Sequence, residues 1–312
     1  MQSSAASSFL RIGTRGSPLA LAQAHEVRER LAAAHRVDPA AIAIVVIRTS
    51  GDRIQDRPLA EVGGKGLFTK EIEEALAAGA IDLAAHSAKD MPTLLPDGLA
   101  LAVCLEREDV RDALISTRAT SLAGLRDGGV VGTASLRRQA MIRRRRPDLT
   151  VVSFRGNVET RLRKLEEGQV DATVLALAGL KRLGLEAAAT AVMAVEDFLP
   201  AVGQGAIALE TRADDRRTRD LVAAIDHPDT TAALGAERAF LAVLDGSCRT
   251  PIAGHATIRD GRLSFRGMVL RPDGSEAHET SRAGTVGAAL ALGTDAGREL
   301  RDRVPADFFA PA

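Results

Sequence analysis

Residues 10–48 read LRIGTRGSPLALAQAHEVRERLAAAHRVDPAAIAIVVIR, and this stretch predicts the class of fold. Leu10–Gly13 has the short apolar pattern of a strand, and Leu19–Ala34 has the pattern of a helix. Ile42–Arg48 is a β-branched run that is typical of a buried strand. Because strand and helix alternate, we expect a parallel sheet with helices on its faces.

The alternation continues along the chain and is interrupted twice. A helix over Thr69–Ala78 and a strand over Ile81–His86 complete the first third. The charged stretch Glu106–Asp112 predicts a crossing into a second α/β domain. The predicted elements of that domain are strands at 130–132, 149–154 and 171–176 and a helix at 136–146. Leu199–Gly205 predicts a second crossing, after which a strand at Ala206–Glu210 returns to the first sheet.

The C-terminal part of the chain has a different pattern. A helix over Thr230–Leu244 precedes three strand-like runs, which turn at Asp260-Gly261 and at Pro272–Gly274, and a helix follows around Gly287–Val304. This order predicts an α+β domain with a small antiparallel sheet. We therefore expect an α/β protein with domains at 1–105 plus 202–224, at 106–201 and at 225–312.

Composition excludes several classes of function. The 312 residues contain 41 basic and 41 acidic side chains, so no net field favours nucleic acid or a membrane surface. Two cysteines cannot build a disulfide framework, and six scattered histidines predict no metal site. The first residues lack the basic and apolar regions of a signal peptide, and no apolar run reaches about 18 residues. We expect a cytoplasmic protein that uses neither metal nor membrane.

Two strand-to-helix openings resemble each other. A strand ending in Gly-Thr, at residues 13–14 and at 132–133, leads into a helix that Ser17 or Ser135 is placed to cap, and Pro18 follows the first cap. Capping alone would explain both serines. However, arginines adjoin both openings at the ends of strands where α/β ligands bind, which favours anion sites.

Arginine is concentrated in the predicted second domain. Arg143–Arg146 are interpreted as a solvated helix end, because consecutive residues cannot share one face. The arginines near strand–helix junctions are better candidates for a cleft, namely Arg137, Arg138, Arg155 and Arg161. Guanidinium groups bind carboxylates and phosphates equally well. With 3% aromatic residues and no Trp or Tyr, the chain has few stacking platforms for nucleic acid.

Lys89, Asp90 and Cys248 are candidates for chemistry. Lys89-Asp90 directly follows a predicted strand, where a carboxylate can move protons or stabilise a cation, although a plain turn ended by Pro92 explains the residues equally well. Cys248 lies in a loop of small residues and is either an anchor for a covalent group or an incidental cysteine. Cys104 lies in an apolar run and is predicted to be inert core. The pattern Gly203-Gln-Gly205-Ala-Ile-Ala208 leads into a strand, so it does not predict a dinucleotide site.

From about Leu10 to the C-terminus, the chain closely resembles the porphobilinogen deaminase (hydroxymethylbilane synthase) family. The resemblance rests on several motifs: Gly63-Gly-Lys-Gly-Leu-Phe68, His86-Ser-x-Lys-Asp90, Gly132-Thr-x-Ser-Leu-Arg-Arg-Gln139, Phe154-Arg-Gly-Asn-Val158, Leu199-Pro-Ala-Val-Gly-Gln-Gly-Ala206 and Glu237-Arg238 with Gly246-Ser-Cys-x-Thr-Pro-Ile-Ala253. It implies two periplasmic-binding-protein-like α/β domains that flank a cleft, with a smaller C-terminal domain that contains a three-stranded antiparallel sheet. It also implies a cytoplasmic, monomeric transferase of haem and tetrapyrrole biosynthesis.

The resemblance implies roles for individual residues. Cys248 would carry a dipyrromethane cofactor through a thioether, and Asp90 would be the catalytic carboxylate in the head-to-tail joining of four porphobilinogens. Ammonia is lost at each step, and hydrolysis then releases hydroxymethylbilane. The implied cofactor-binding residues are Lys89, Thr133, Ser135, Arg137, Arg138 and Arg155. The implied substrate-binding residues are Arg15, Ser17, Arg155, Arg161, Arg182 and Gln204. Independently of the resemblance, the small and charged residues around 50–66 predict a mobile lid, to which we assign Lys65 and the nearby Phe68.

Two positions depart from the pattern expected of the family. Ala134 replaces a frequent serine, and Arg249 stands where glutamine is common; neither change removes a catalytic group. Two other classes of protein share part of the pattern. A solute-binding protein would have the two-domain cleft but would need export and would not need Cys248. A nucleic-acid-binding module would use the arginines but would need a basic domain with aromatic residues.

Overall fold

The computed structural model describes residues 8–53, 68–244 and 250–309; Lys65 and Cys248 lie outside these ranges. The described residues form the strands β1 (Leu10–Thr14), β2 (Ile42–Val46), β3 (Leu83–Ser87), β4 (Leu99–Cys104), β5 (Asp112–Ser116), β6 (Val130–Gly132), β7 (Thr150–Val152), β8 (Ala172–Ala176), β9 (Ala191–Val192), β10 (Ile207–Arg212), β11 (Ile252–Arg259), β12 (Arg262–Leu270) and β13 (Ala277–Thr285). The helices are α1 (Pro18–His35), α2 (Ser50–Arg53), α3 (Lys70–Ala77), α4 (Leu136–Arg145), α5 (Val158–Glu166), α6 (Leu177–Arg182), α7 (Arg216–Ala223), α8 (Pro228–Val243) and α9 (Ala289–Arg303).

Two sheets have the same strand arrangement. The first has the order β2-β1-β3-β10-β4 and the second the order β7-β6-β8-β5-β9. In each, three strands run parallel, and the strand next to them, β10 or β5, runs antiparallel. The predicted alternation of strands and helices is confirmed. Each sheet is mixed and not wholly parallel, because the strand that follows a crossing runs antiparallel to its neighbour.

Each crossing leads into one of these antiparallel strands. The first crossing, residues 105–111, leads into β5 of the second sheet, and the second crossing, residues 199–206, leads into β10 of the first. The predicted return of the chain to the first sheet is confirmed, since Ile207 pairs with Ser87 and Ala208 with both His86 and Cys104. The predicted first crossing was one residue too long, because Asp112 already belongs to β5.

The third sheet is antiparallel in the order β11-β12-β13, as the sequence predicted. Its first hairpin turns at Asp260-Gly261, where both residues have positive φ, 50° and 71°. These angles define the tight turn that Asp-Gly favours between strands. The helices α8 and α9 pack on this sheet around Phe240, Phe265 and Leu300, all nearly inaccessible to solvent.

Apolar packing joins the second and third sheets. Met268 and Leu270 of β12 belong to the same core cluster as Leu114 of β5, Met141 of α4 and Phe198. The first sheet has its own core, to which α1 and α7 contribute. Predicted helix and strand ends differ from the observed ends by at most two residues.

One prediction about the arginines was wrong. Arg146 does not lie in solvent at a helix end: its guanidinium donates to the carbonyls of Leu122, Ala123 and Leu125 at 2.9–3.1 Å. It also binds Asp148, and only 17% of its side chain is exposed. Its partners are backbone carbonyls of a preceding loop. A pattern of charged residues in the sequence cannot predict such partners.

Candidate active site

Asp90 lies at the carboxyl end of β3. The residues Leu83 to His86 are buried, and a single 3-10 turn over Ala88–Asp90 then brings Asp90 to the exposed surface. Ala88 N donates to Ala206 O at 3.0 Å, which attaches this turn to the second crossing. The turn after β3 is therefore a fixed part of the sheet edge, where α/β proteins bind ligands.

The second crossing packs directly against this turn. Gly203 has φ of 73°, and a Cβ at this position would lie 2.9 Å from Lys89 N and 3.0 Å from Ala88 C. Only glycine fits this close approach without movement of the backbone. Packing against the Asp90 turn therefore explains why residue 203 is glycine. The Gly203–Ala208 pattern leads into strand β10 and not into a helix, as the sequence predicted.

The opening of α4 brings two arginines into the interior. Ser135 caps the helix, accepting from Arg138 N at 3.4 Å, and Thr133 Oγ1 accepts from Ser135 N at 3.2 Å. Arg137 and Arg138 lie in the first turn and are only 3% and 6% exposed. The predicted cap at Ser135 is confirmed.

Asp112 is the partner of both arginines. Its Oδ2 accepts from Arg137 Nη2 at 2.7 Å, and its Oδ1 accepts from Arg138 Nε at 3.0 Å and Nη2 at 2.7 Å. Burial by itself raises the pKa of Asp112, but the two guanidiniums outweigh burial and hold this pKa below its usual value. Asp112 is therefore a buried carboxylate that stays ionised.

Arg155 and Arg161 lie at the opening of α5. Asn157 caps this helix through a bond of 2.8 Å from Thr160 N. Arg161 Nε donates to Gly156 O at 2.8 Å, and Lys164 Nζ donates to Arg155 O at 3.1 Å. Two cations of α5 thus hold the backbone of the loop that presents Arg155.

Charges from both sheets meet around Asp90. Burial lowers the pKa of Arg161 to about 10, helped by Arg138 and Arg155 and opposed by Asp90. Burial likewise lowers the pKa of Lys89 to about 8; Arg138 and Arg137 lower it further, whereas Asp90 and Asp112 raise it. We call Lys89, Asp90, Arg138, Arg155 and Arg161 the cleft cluster. In it, the charge of Asp90 acts on Lys89 and on Arg161, and cations outnumber carboxylates, which suits a ligand with several carboxylates.

The structure brings Arg15 and Ser17 together at the other opening. Ser17 Oγ accepts from Ala20 N at 3.3 Å, which confirms the predicted cap. The guanidinium of Arg15 lies 4.1 Å from the centre of the Phe68 ring, within cation–π range. Phe68 thus contacts a predicted substrate residue, whereas Lys65, named with it for the lid, lies in the part of the chain that is not described.

Arg182 and Gln204 lie at the crossings. Arg182 Nη2 donates to Gly205 O at 3.0 Å, and its Nε is 3.4 Å from Glu26 Oε2 on α1. Gln204 is 1% exposed, and its Nε2 donates to Val110 O at 2.7 Å and to Asp112 Oδ1 at 3.0 Å. The observed partners of both residues are therefore protein atoms that join the two sheets.

Sequence reasoning gave no role to three residues that organise the site, although two of them, Glu237 and Arg238, belong to a motif of the family resemblance. Asp112 was read only as the end of a charged stretch. Glu237, fully buried on α8, binds Arg107 in a bidentate pair at 2.6 and 3.0 Å and accepts from Gly203 N at 2.7 Å. Arg238 Nη2 donates to the carbonyls of Pro92 and Thr93, just after Asp90. For Asp112 and Glu237, the available signal was an acidic residue at the start of an apolar strand or inside an apolar helix, which requires a buried cation.

The described residues contain neither a metal-binding cluster nor a membrane-spanning helix. No group of His, Cys, Asp and Glu within 8–53, 68–244 and 250–309 has the arrangement of a metal site. Within those same ranges, no helix is long and apolar enough to cross a bilayer.

The family models and the curated relatives agree on one family. The family model "Porphobilinogen deaminase, dipyromethane cofactor binding domain" matches residues 10–220, and "Porphobilinogen deaminase, C-terminal domain" matches residues 231–302. The chain is 63% identical to the porphobilinogen deaminase of Nitrobacter winogradskyi, covering 99% of this chain and 98% of the relative. It is 57% identical to that of Paracoccus denitrificans, covering 96% of each. Among solved structures, a periplasmic substrate-binding protein from Coxiella burnetii matches 74% of this chain and 97% of its own at 16% identity, with a TM-score of 0.42.

Proposed function

The chain belongs to the porphobilinogen deaminase family, and on that premise we propose that Asp90 is its catalytic carboxylate and Cys248 its point of cofactor attachment. The protein is an enzyme that polymerises porphobilinogen in tetrapyrrole biosynthesis. The proposal concerns which of its residues perform this reaction and how.

The cleft cluster is the observation that carries the proposal. Each pyrrole unit bears an acetate and a propionate, so the substrate and the growing chain are polyacids. The charges of Lys89 and Arg161 interact with the charge of Asp90, and Arg138 and Arg155 add further positive charge. Arginine binds a carboxylate through two parallel hydrogen bonds, and we assign this role to Arg155 and Arg161. Arg138 contributes its charge, because its Nε and Nη2 already bind Asp112.

Asp90 has the opposite charge to its neighbours and a different task. Loss of ammonia from the aminomethyl group leaves positive charge on the pyrrole. A carboxylate held at the sheet edge stabilises that charge as it develops and accepts or returns a proton at its Oδ atoms.

The residues present fit a dipyrromethane. The excess of cations in the cleft cluster matches its carboxylates, and we propose that Lys89, Thr133, Ser135, Arg137, Arg138 and Arg155 hold it. When bound, this group supplies the pyrrole carbon to which the first substrate is joined. The chain's own residues bind the acid groups, fix their orientation and place Asp90 beside them.

The attachment to Cys248 is supported by the state of the other cysteine. Cys104 is fully buried, and burial raises its pKa to about 12, so its reactive thiolate is scarce. In the sequence, Cys248 follows α8 and precedes β11. Glu237 and Arg238 of α8 contact the second crossing and the segment after Asp90, which supports our proposal that Cys248 acts together with Asp90.

The remaining assignments are proposals of the same kind. We propose that Arg15, Ser17, Arg155, Arg161, Arg182 and Gln204 contribute to substrate binding and that Lys65 and Phe68 belong to a lid. We also propose domains at 1–105 plus 202–224, 106–201 and 225–312, in a cytoplasmic monomer that binds neither nucleic acid nor membrane. The balanced charge and the low aromatic content support the last point.

Asp90→Asn tests the catalytic proposal. The variant keeps the size of the side chain but removes its charge, so turnover should fall at least about a hundredfold. Intact mass should still include the dipyrromethane increment, and Cys248→Ser should lose it. Asp97→Asn, an exposed aspartate farther along the same segment, is the matched control and should keep full turnover.

Two results would count against these assignments. Turnover of Asp90→Asn above about a tenth of wild type would indicate a structural role for Asp90. A fully active wild-type enzyme whose mass equals that of the bare chain would exclude covalent attachment.

A further inference from the structure

Asp112 has more contacts than a simple ion pair requires. It is the first residue of β5, directly after the first crossing, and its side chain is inaccessible to solvent. Besides both guanidiniums, its Oδ1 accepts from Gln204 Nε2 at 3.0 Å. The same amide nitrogen donates to Val110 O at 2.7 Å. One carboxylate thus connects the opening of α4 with both crossings.

The two arginines on Asp112 face different parts of the molecule. Arg137 Nη1 donates to Leu199 O at 2.7 Å, and its guanidinium lies 5.6 Å from the centre of the Phe198 ring. Arg138 Nη1 donates to Val174 O at 2.9 Å, and its charge acts on both Lys89 and Arg161. Arg137 therefore attaches to the second crossing, whereas Arg138, a member of the cleft cluster, attaches to β8.

Arginines hold much of the second crossing. Leu199 O accepts from Arg137, Gln204 O accepts from Arg107 Nε at 2.9 Å, and Gly205 O accepts from Arg182 Nη2 at 3.0 Å. A movement of this crossing must therefore be transmitted to Arg137, and through Asp112 to Arg138. A packed network of ion pairs switches between discrete arrangements of its side chains and does not deform continuously.

Charge balance makes Asp112 necessary for this arrangement. Without it, two guanidiniums would share a buried site with no carboxylate between them, and mutual repulsion would drive them apart. We propose that Asp112 is a positioning residue of the enzyme: it fixes the guanidinium of Arg138 at the cleft cluster and couples it to both crossings. The expected effect of Asp112 on turnover rests on the proposed function. Its expected effect on the protonation of Lys89 does not.

The first test reads the charge state of Lys89 without any turnover. Acetic anhydride labels unprotonated amines, and mass spectrometry of peptides gives the pH of half-maximal labelling for each lysine. The full chain with Cys248→Ser serves as the background, because it has no thiol for attachment. Lys89 should be half-labelled near pH 8, while Lys181, whose pKa Glu108 raises above 10.5, is the internal control.

Opposite shifts are expected from the two charge removals. Asp112→Asn removes a negative neighbour, so the half-labelling pH of Lys89 should fall by about one unit. Arg138→Gln removes a positive neighbour and should raise it by a similar amount. Asp109→Asn, in the same crossing but paired with the exposed Arg111, should leave it unchanged. An unchanged Lys89 profile in folded Asp112→Asn would overturn the inference.

The second test asks whether Asp112 acts through Arg138. In the wild-type background with Cys248 present, Asp112→Asn should lower kcat about tenfold or more, and Asp109→Asn should not. In an Arg138→Gln background, the further loss from Asp112→Asn should be less than about threefold. A full tenfold loss in that background would show that Asp112 acts independently and would overturn the positioning role.

Gln204→Leu keeps the proposal testable should Asp112→Asn fail to fold. This variant removes one uncharged donor to Asp112 and one acceptor from Arg138 Nη2, and it leaves the ionic balance intact. We expect kcat to fall several-fold, because the crossing is uncoupled from Asp112; a rise in KM reports the separate proposal that Gln204 contributes to substrate binding. An unchanged kcat would overturn the coupling.

Discussion

The openings of α1 and α4 share one local structure, but they place their arginines at different depths in the protein. At both, a Gly-Thr pair lies at or across the end of the preceding strand, at residues 13–14 and 132–133, and serine caps both helices. At α1 the arginine precedes the cap, so Arg15 lies in the loop, half-buried, over the ring of Phe68. At α4 the arginines follow the cap, so the first turn carries Arg137 and Arg138 into the interior. Position relative to the N-cap therefore decides whether the cation is accessible or buried.

The difference has an energetic consequence. A guanidinium that is removed from water requires a partner, and Asp112 provides one for both arginines of α4. The corresponding positions in the first turn of α1 are Leu19 and Ala20, which pack without any counter-ion. The first sheet therefore offers a cation that a small ligand can reach, and the second offers cations that are pre-organised by the protein.

Replacing arginine by lysine at each opening should show the largest difference. Arg137→Lys keeps the charge, but a single ammonium cannot reach both Asp112 and Leu199 O, so the free energy of unfolding should fall by about 2 kcal/mol. Arg15→Lys should change it by no more than about 0.5 kcal/mol, because the side chain is only half-buried. Urea denaturation followed by circular dichroism measures both values. Equal losses at the two positions would mean that burial does not distinguish the two openings.

Removing the caps should show a smaller effect that is similar at both openings. Ser17→Ala and Ser135→Ala each lose one bond from a helix-terminal N–H, at 3.3 and 3.4 Å, so each should cost about 1 kcal/mol of unfolding free energy. Similar losses would show that the caps are equivalent and that the arginines alone make the openings differ. A loss at Ser135 that exceeds the loss at Ser17 by more than about 1 kcal/mol would instead mean that this cap supports the Asp112 network.

Local patterns were sufficient to predict most elements of this fold. Alternation of apolar runs predicted β1, β2, β3 and β10 of the first sheet and β6, β7 and β8 of the second, whereas β5 and β9 were not predicted. Ser17 and Ser135 predicted two helix starts, and Asp260-Gly261 predicted a hairpin. These features depend on neighbours within a few residues, so their physical causes are present in the sequence itself. The position of Asp90 at the edge of the first sheet was likewise predictable, because it directly follows a strand.

Long-range partners were not predictable from the same patterns. Asp112 lies 25 and 26 residues from its two arginines, and Glu237 lies 130 residues from Arg107. A pattern of charges shows that such groups exist but not which of them meet. Arg146 was misjudged for this reason, since backbone carbonyls of a distant loop bind it.

The sequence by itself thus determined most of the strands, two helix caps, the family and the residue types that we propose for the site. Only the tertiary structure decided that Arg137 attaches to a crossing, that Arg138 attaches to β8, and that Asp112 joins them. The physical reason is that secondary structure follows from local sterics and hydrogen bonding. The state of a charged side chain follows instead from its burial and its counter-ion, and both exist only after distant segments have packed together.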